Sequence, residues 1–195
     1  MSNSNFYGLG VALISPFTEN GAVDFAAVAK IVDNLIEGGV DYILVLGTTG
    51  ETPTLTTDER KALIRFVRER VAGRVGLMVG VGGNCTRDVV ATLRTWDLSG
   101  YDAVLSVNPY YNKPNQEGLY QHFKAIAEAS PLPVMLYNIP GRTGVNMTPA
   151  TIARLAHDCE NIIGVKEASG NLEQMEQIKA LNPDNLTVHS LALKR

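Results

Sequence analysis

Residues 162–167, Ile162-Ile163-Gly164-Val165-Lys166-Glu167, form an apolar run typical of a buried strand that ends abruptly on a lysine. When a lysine stem leaves a buried strand, the amine is desolvated, and desolvation disfavours its charged form. The neutral amine is a nucleophile that condenses with carbonyl compounds to form a Schiff base. The alternative is a lysine at the rim of a sheet with its amine in water, which is the usual state of lysine. The run alone favours the solvated lysine, so the choice depends on the rest of the chain.

Apolar strand-like runs alternate with amphipathic helical stretches along the sequence. One helical stripe, formed by Leu63, Ile64, Val67 and Val71, follows a capping box at residues 56–59. The runs are apolar on both faces, as in a parallel sheet covered by helices. The predicted strands are Val11–Ile14, Ile43–Leu46, Leu77–Val81, Ala103–Val107, Val134–Leu136, Ile162–Val165 and Leu186–Val188.

This alternation permits either a doubly wound open sheet or a (β/α) barrel. A dinucleotide-binding open sheet needs a Gly-x-Gly-x-x-Gly turn after its first strand, and residues 14–17 contain none. Polar residues instead follow several strands: Thr48 the second, Tyr111 the fourth, Tyr137 the fifth and Lys166 the sixth. Catalytic groups that converge from many strand ends are typical of a barrel. The sequence therefore predicts an α/β fold, a (β/α)8 TIM barrel of which strands 1–7 are visible.

Composition excludes several classes of partner. The formal net charge is −3 with both signs scattered, so no basic patch indicates binding to nucleic acid or to an anionic membrane. No stretch approaches the roughly 18 apolar residues of a membrane span, and the first residues do not resemble a signal peptide. Cys85 and Cys159 lie far apart, which suits a reducing, cytoplasmic location. No metal site is expected, and three scattered histidines are interpreted as structural: His122, His157 and His189.

Four segments of the sequence carry the polar residues that follow the strands. They are Gly47-Thr48-Thr49-Gly50-Glu51, Pro109-Tyr110-Tyr111-Asn112, Tyr137-Asn138-Ile139-Pro140-Gly141-Arg142-Thr143 and Gly164-Val165-Lys166-Glu167-Ala168-Ser169-Gly170-Asn171. In order and spacing they resemble the dihydrodipicolinate synthases, also called 4-hydroxy-tetrahydrodipicolinate synthases. This family belongs to the pyruvate-dependent class I aldolase superfamily, which includes N-acetylneuraminate lyase. By this resemblance, the Arg142-Thr143 pair favours the synthases over the lyases.

The resemblance implies a lyase that condenses pyruvate with L-aspartate 4-semialdehyde to give 4-hydroxy-tetrahydrodipicolinate. This reaction is the committed step of diaminopimelate and lysine biosynthesis. The resemblance makes Lys166 the residue that forms the covalent imine with pyruvate, so no cofactor or metal is expected. It also implies a homo-oligomer, a tetramer built as a dimer of dimers.

The resemblance assigns a role to each further site residue. Tyr137 relays protons, and Thr48 and Tyr111 extend a chain of hydroxyl groups, with Tyr111 supplied by the neighbouring subunit. Thr49, with backbone N–H groups of its turn, holds the pyruvate carboxylate. Arg142 binds the carboxylate of the aldehyde substrate as a planar bidentate donor.

The end of the chain departs from the family pattern. A closed barrel usually takes about 200 to 250 residues or more, and the family continues after the seventh strand with Ser-Gly-Asp-Asp. Here Ser190 is followed by the atypical tail Leu191-Ala192-Leu193-Lys194-Arg195. We therefore predict a partial catalytic barrel in residues 1–190 without strand 8 or the C-terminal helical domain. We also expect these 195 residues alone to fold poorly and to show little activity.

Two other functions stay open. A sister pyruvate aldolase, such as an N-acetylneuraminate or 2-keto-3-deoxy acid lyase, would share Lys166 and Tyr137 but not the role of Arg142. An inactive truncated fragment is the other alternative.

Overall fold

The structure is a computed structural model that describes residues 6–181 and 186–190. The predicted tail, residues 191–195, lies outside the described residues, so the domain boundary at residue 190 stays a prediction. The described residues divide into two compact units. The first contains residues 6–80 and 96–103, and the second contains residues 81–95 and 104–190 with the gap named above.

The first unit consists of three parallel strands with a helix after each of the first two. Strand β2 pairs with both of its neighbours in chain order, with Ile43 opposite Val11 on one side and Leu77 on the other. Between β2 and α2 the chain makes two short 3-10 turns, Thr48–Gly50 and Thr52–Thr54. The elements are β1 (Gly10–Ala12), α1 (Phe25–Glu37), β2 (Tyr42–Val45), α2 (Thr57–Val71) and β3 (Gly76–Gly80).

Both helices of the first unit begin at side-chain caps and bury apolar residues along one side. The Asp24 carboxylate accepts the Ala27 N–H at 2.9 Å at the start of α1. Thr56 and Glu59 form the predicted capping box at the start of α2. The predicted stripe of α2 is confirmed, because all four of its residues are buried: Leu63, Ile64, Val67 and Val71.

The second unit contains four parallel strands, and each pairs with the next one along the chain. Its helix α6 begins as predicted, with the Thr148 side chain as cap before Pro149. The elements are α3 (Thr86–Thr95), β4 (Ala103–Val107), α4 (Gln116–Ala129), β5 (Val134–Asn138), α5 (Pro140–Thr143), α6 (Pro149–Asp158), β6 (Ile162–Glu167), α7 (Leu172–Leu181) and β7 (Thr187–Ser190).

The strand order confirms the predicted fold class. In both units neighbouring strands are consecutive and parallel, as in a (β/α) barrel. An open doubly wound sheet reverses its order at a switch point, and neither unit contains such a reversal among its described strand pairs. All seven predicted strands are present, which makes the chain an incomplete TIM barrel.

Several strand ends differ from the prediction for local reasons. Strand β2 ends before Leu46, because this residue has the left-handed φ of 57°. Strands β5 and β6 continue past their apolar runs to Asn138 and Glu167, whose polar side chains are fully buried. The polar ends of these two strands position the candidate site.

Candidate active site

Lys166 and Tyr137 lie directly opposite each other on neighbouring strands of the second unit. The Lys166 Nζ is 4.6 Å from the centroid of the Tyr137 ring. A bulge in β6 produces this pairing, because Val134 pairs with Ile162 but Met135 already pairs with Gly164. Without the extra residue, Tyr137 would lie opposite Val165. The irregularity therefore brings the two predicted catalytic side chains together.

The surroundings of Lys166 favour its neutral amine. Burial lowers the pKa of Lys166 below that of a lysine in water, so a larger fraction is neutral at any given pH. His189 lies opposite Lys166 on β7. Burial first, and then the positive charge of Lys166, lower the pKa of His189, so the imidazole does not add a second charge near neutral pH. The predicted desolvation of Lys166 is thus present in the structure.

Tyr137 lies between two neighbouring strands, opposite Val107 on β4 and Lys166 on β6. The residue is 4% exposed, and its backbone carbonyl accepts the Asn108 N–H at 3.2 Å. The strand that carries the phenol is therefore fixed on both sides.

Thr48 and Thr49 belong to the first unit and form an exposed turn directly after β2. The turn lies between two non-glycine residues with left-handed backbone, Leu46 at φ 57° and Glu51 at φ 52°. The buried Ser15 hydroxyl secures it by donating to the Gly50 carbonyl at 2.7 Å. Such backbone conformations cost roughly 1–3 kcal/mol each and are concentrated at functional sites.

Tyr111 lies in the loop after β4, and the structure does not bring its side chain into contact with the Lys166–Tyr137 pair. The residue is 89% exposed and has a φ of 73°, a strained conformation for an aromatic residue. The backbone thus presents the phenol outward from its own subunit.

Arg142 lies in the short helix α5, immediately after β5. Its backbone N–H donates to the Ile139 carbonyl at 3.0 Å, which fixes the turn that carries it. The residue is exposed, and within residues 6–181 and 186–190 no hydrogen bond or salt bridge involves its guanidinium group. It is therefore available for an anionic ligand.

Sequence reasoning missed a buried polar network next to this pair. Asn138 follows Tyr137 on β5, Glu167 follows Lys166 on β6, and both residues are 0% exposed. The Asn138 amide nitrogen donates to the Glu167 carboxylate at 2.8 Å. The available signal was the alternation of side chains along a strand, which places the residue after each predicted catalytic residue on the opposite face of the sheet.

Other features of the described residues do not add a competing site. No group of three or more His, Cys, Asp and Glu residues with metal-binding geometry occurs in the described part of the chain. A cavity of about 600 Å³ in the first unit lies at the amino ends of β2 and β3, lined in part by Asp41 and Gly76, whereas Thr48 and Thr49 follow the carboxyl end of β2. Among the described helices, none is both long and apolar enough to cross a membrane.

Known proteins resemble this chain over nearly its full length. The Parabacteroides distasonis 4-hydroxy-tetrahydrodipicolinate synthase is 56% identical over 190 residues, which cover 97% of this chain and 64% of that protein. The Bacillus subtilis protein of the same name is 47% identical over 186 residues, 95% of this chain and 64% of its own length. The chain thus spans about 64% of the length of these curated relatives.

Solved structures show the same likeness in three dimensions. The Aquifex aeolicus dihydrodipicolinate synthase superposes with a TM-score of 0.90 at 43% identity, covering 94% of this chain and 62% of that one. The Thermotoga maritima enzyme gives a TM-score of 0.91 at 41% identity, covering 95% and 64%. The sequence profile of the Dihydrodipicolinate synthetase family matches residues 5–191. With that match and these relatives, the chain belongs to the dihydrodipicolinate synthetase family.

Proposed function

We propose that this chain condenses pyruvate with L-aspartate 4-semialdehyde to form 4-hydroxy-tetrahydrodipicolinate, as a lyase of diaminopimelate and lysine biosynthesis. The observation that carries the proposal is the partly desolvated Lys166 amine, 4.6 Å from the Tyr137 ring. The shared name of its relatives supports the same reaction.

The chemistry begins at Lys166. Its neutral amine adds to the ketone carbon of pyruvate, and loss of water gives a protonated imine. The positive nitrogen withdraws electrons, so the adjacent methyl group loses a proton and an enamine forms. The enamine carbon then bonds to the aldehyde carbon of the second substrate, whose oxygen takes up a proton. The amino group of that substrate adds to the imine carbon, and the Lys166 amine leaves, which closes the ring of the product and frees the lysine. Every step is an addition, an elimination or a proton transfer, so no oxidant or metal is required.

Tyr137 is the proposed proton relay, because a phenol ordinarily keeps its proton at neutral pH and lies beside the reacting amine here. Thr48 would extend the relay. Tyr111 would complete it in a neighbouring copy of the chain, which fits the exposure of its phenol. The proposal therefore includes a homo-oligomer, a tetramer in its full form.

Two residues are proposed to bind the carboxylates of the substrates. Thr49 and the N–H groups of its turn would hold the pyruvate carboxylate. Arg142, exposed at the end of β5, would bind the second substrate as a bidentate donor. A cytoplasmic location is proposed with the pathway, and both cysteines of the chain, Cys85 and Cys159, are free thiols.

Borohydride trapping tests the proposal. Reduction in the presence of pyruvate should attach one reduced pyruvyl group to Lys166, located by peptide mass spectrometry. Lys166→Arg should abolish the adduct, whereas Lys61→Arg, a change at an exposed residue of α2, should leave it intact. An adduct on another lysine would refute the assignment.

The aldehyde substrate is tested separately. Turnover with pyruvate is measured with aspartate semialdehyde and with N-acetylmannosamine. Preference for aspartate semialdehyde supports the synthase, and preference for the amino sugar would identify the sister aldolase instead.

A further inference from the structure

Two pairs of side chains occupy opposite faces of the same two strands. Tyr137 lies opposite Lys166 on one face, and Asn138 lies opposite Glu167 on the other. Because successive side chains of a strand alternate between faces, the position of one pair determines the position of the other. A slip of one residue between β5 and β6 would separate both pairs together.

The Glu167 carboxylate collects three hydrogen-bond donors. The Asn138 side-chain amide donates at 2.8 Å, the Gln174 side-chain amide at 2.9 Å and the Ser169 backbone N–H at 2.7 Å. Glu167 is 0% exposed, and Gln174 is 7% exposed. Hydrogen bonds of this kind, with a charged acceptor and little access to water, are about twice as strong as neutral ones.

One backbone group determines the orientation of three amides in this network. The Met147 N–H donates to Asn138 at 3.0 Å, so the accepting atom must be the Asn138 oxygen. The nitrogen of Asn138 therefore donates to Glu167 and, at 2.8 Å, to the Asn146 oxygen. The nitrogen of Asn146 donates in turn to the Gln174 oxygen at 2.8 Å, which leaves the nitrogen of Gln174 to donate to Glu167.

We propose that Asn138 and Glu167 are positioning residues that lock the register of β5 against β6 and thereby hold the Lys166 amine beside Tyr137. A register lock is needed here because the bulge at Ile163 interrupts the regular pairing just before the site. Backbone hydrogen bonds of parallel strands form equally well in a slipped register, whereas the Asn138–Glu167 contact forms only in this one. The catalytic role of this lock rests on the proposed function. The lock itself can be tested without any substrate, because the pKa of Lys166 reports how far its amine is buried.

Variants that reverse the direction of the Asn138–Glu167 hydrogen bond distinguish a register lock from a merely structural role. Glu167→Gln removes one acceptor oxygen, so its amide nitrogen faces either the Asn138 donor or the Ser169 N–H. Asn138→Asp places an acceptor against the Glu167 carboxylate. The double variant N138D/E167Q exchanges donor and acceptor at both positions. The amides of Asn146 and Gln174 then restore their contacts by turning over, while the N–H groups of Met147 and Ser169 still meet oxygen atoms.

The first readout is the pKa of Lys166, obtained from its rate of acylation across pH. In each single variant we expect this pKa to rise towards that of a lysine in water, because a loosened register admits water to the amine. The double variant should return to the wild-type value. The second readout is the rate of pyruvate trapping by borohydride, which should fall about tenfold in the single variants and recover to within about threefold in the double variant.

A matched control monitors loss of stability alone. Ile126→Val removes one methyl group from a fully buried residue of α4 that takes no part in the network. It should lower the unfolding temperature without changing the pKa of Lys166. If the single variants behaved like this control, or if the double variant remained as impaired as they are, the lock would be refuted.

The remaining outcomes also decide the proposal. If the single variants do not fold, recovery of folding and of the Lys166 pKa in the double variant supports the lock, and a double variant that does not fold overturns it. Suppose that the pKa of Lys166 is lowered in the wild type and rises in the single variants as expected, but that the wild type traps no pyruvate. The proposed function then fails while the lock stands.

Discussion

Replacement of Gly164 by alanine should destabilise the second unit by forcing β6 and β7 apart. A Cβ atom at this position would lie 2.7 Å from the Thr187 backbone carbonyl oxygen, and it would meet the Thr187 hydroxyl at still closer range. An ordinary contact needs at least 3.4 Å. The hydroxyl cannot simply turn away, because it donates to the Ile163 carbonyl at 3.1 Å and contacts His189 Nε2 at 3.0 Å.

The expected cost of Gly164→Ala follows from these contacts. Overpacking against a rigid neighbour typically costs about 1–3 kcal/mol, and a weakened hydrogen bond between the strands adds about 1 kcal/mol. We therefore expect a loss of about 2–4 kcal/mol in the free energy of unfolding, measured by urea denaturation followed by circular dichroism. Imine formation should fall as well, because His189 and Lys166 are paired across the same two strands.

Two further variants test whether the clash with the Thr187 backbone causes the loss of stability. Gly141→Ala is the matched control, because a Cβ atom there has no neighbour within 4 Å, and it should change stability by no more than about 1 kcal/mol. G164A/T187A removes the hydroxyl contact but keeps the backbone one, so it should recover only part of the loss. Wild-type stability of Gly164→Ala, or full recovery in the double variant, would refute the backbone clash.

Three other perturbations have defined outcomes. Arg142→Ala should reduce the use of aspartate semialdehyde about a hundredfold and leave borohydride trapping of pyruvate nearly unchanged; equal losses in both would make Arg142 structural. Trapping at Lys166 should rise with pH and reach half its maximum at a lower pH than acylation of free lysine in water, because burial lowers the pKa of Lys166; coincident profiles would contradict this. Burial also lowers the pKa of His122 from 6.5 to about 4, while Thr86 hydrogen-bonds the ring at 2.8 Å. Between these two pH values His122 is protonated in the unfolded chain but neutral in the folded chain. The free energy of unfolding should therefore fall by about 3 kcal/mol as the pH drops from about 6.5 to about 4. His122→Gln should remove this part of the pH dependence, measured by urea titrations.

The fold was predictable because its signals are local. Apolar runs, caps such as Thr56 and the βα repeat each depend on a few neighbouring residues, and all seven strands were found from them. The ends of β5 and β6 were predicted too early, because Asn138 and Glu167 are polar and an apolar run excludes them. Their burial depends on partners about 30 residues apart in the chain, which no local pattern contains.

The site was predictable to a similar degree. Lys166 and Tyr137 were predicted from strand ends and motifs, and the structure places them opposite each other. The role of the bulge in this pairing was not predictable, since an extra residue in a strand leaves no mark on an apolar run. His189 was interpreted as structural, because its relation to Lys166 emerges only once β7 is aligned with β6.

The fixed orientation of donors and acceptors in the amide network limits which substitutions this family can accept. A backbone N–H at Met147 orients the donors, and side-chain substitutions other than proline leave that group in place. A single exchange at Asn138 or at Glu167 passes through an intermediate in which like groups face each other inside the protein, and selection for stability would remove it. A paired exchange avoids that intermediate. Substitutions at Asn138 and Glu167 should therefore occur together, so homologues should differ from this chain at both positions or at neither.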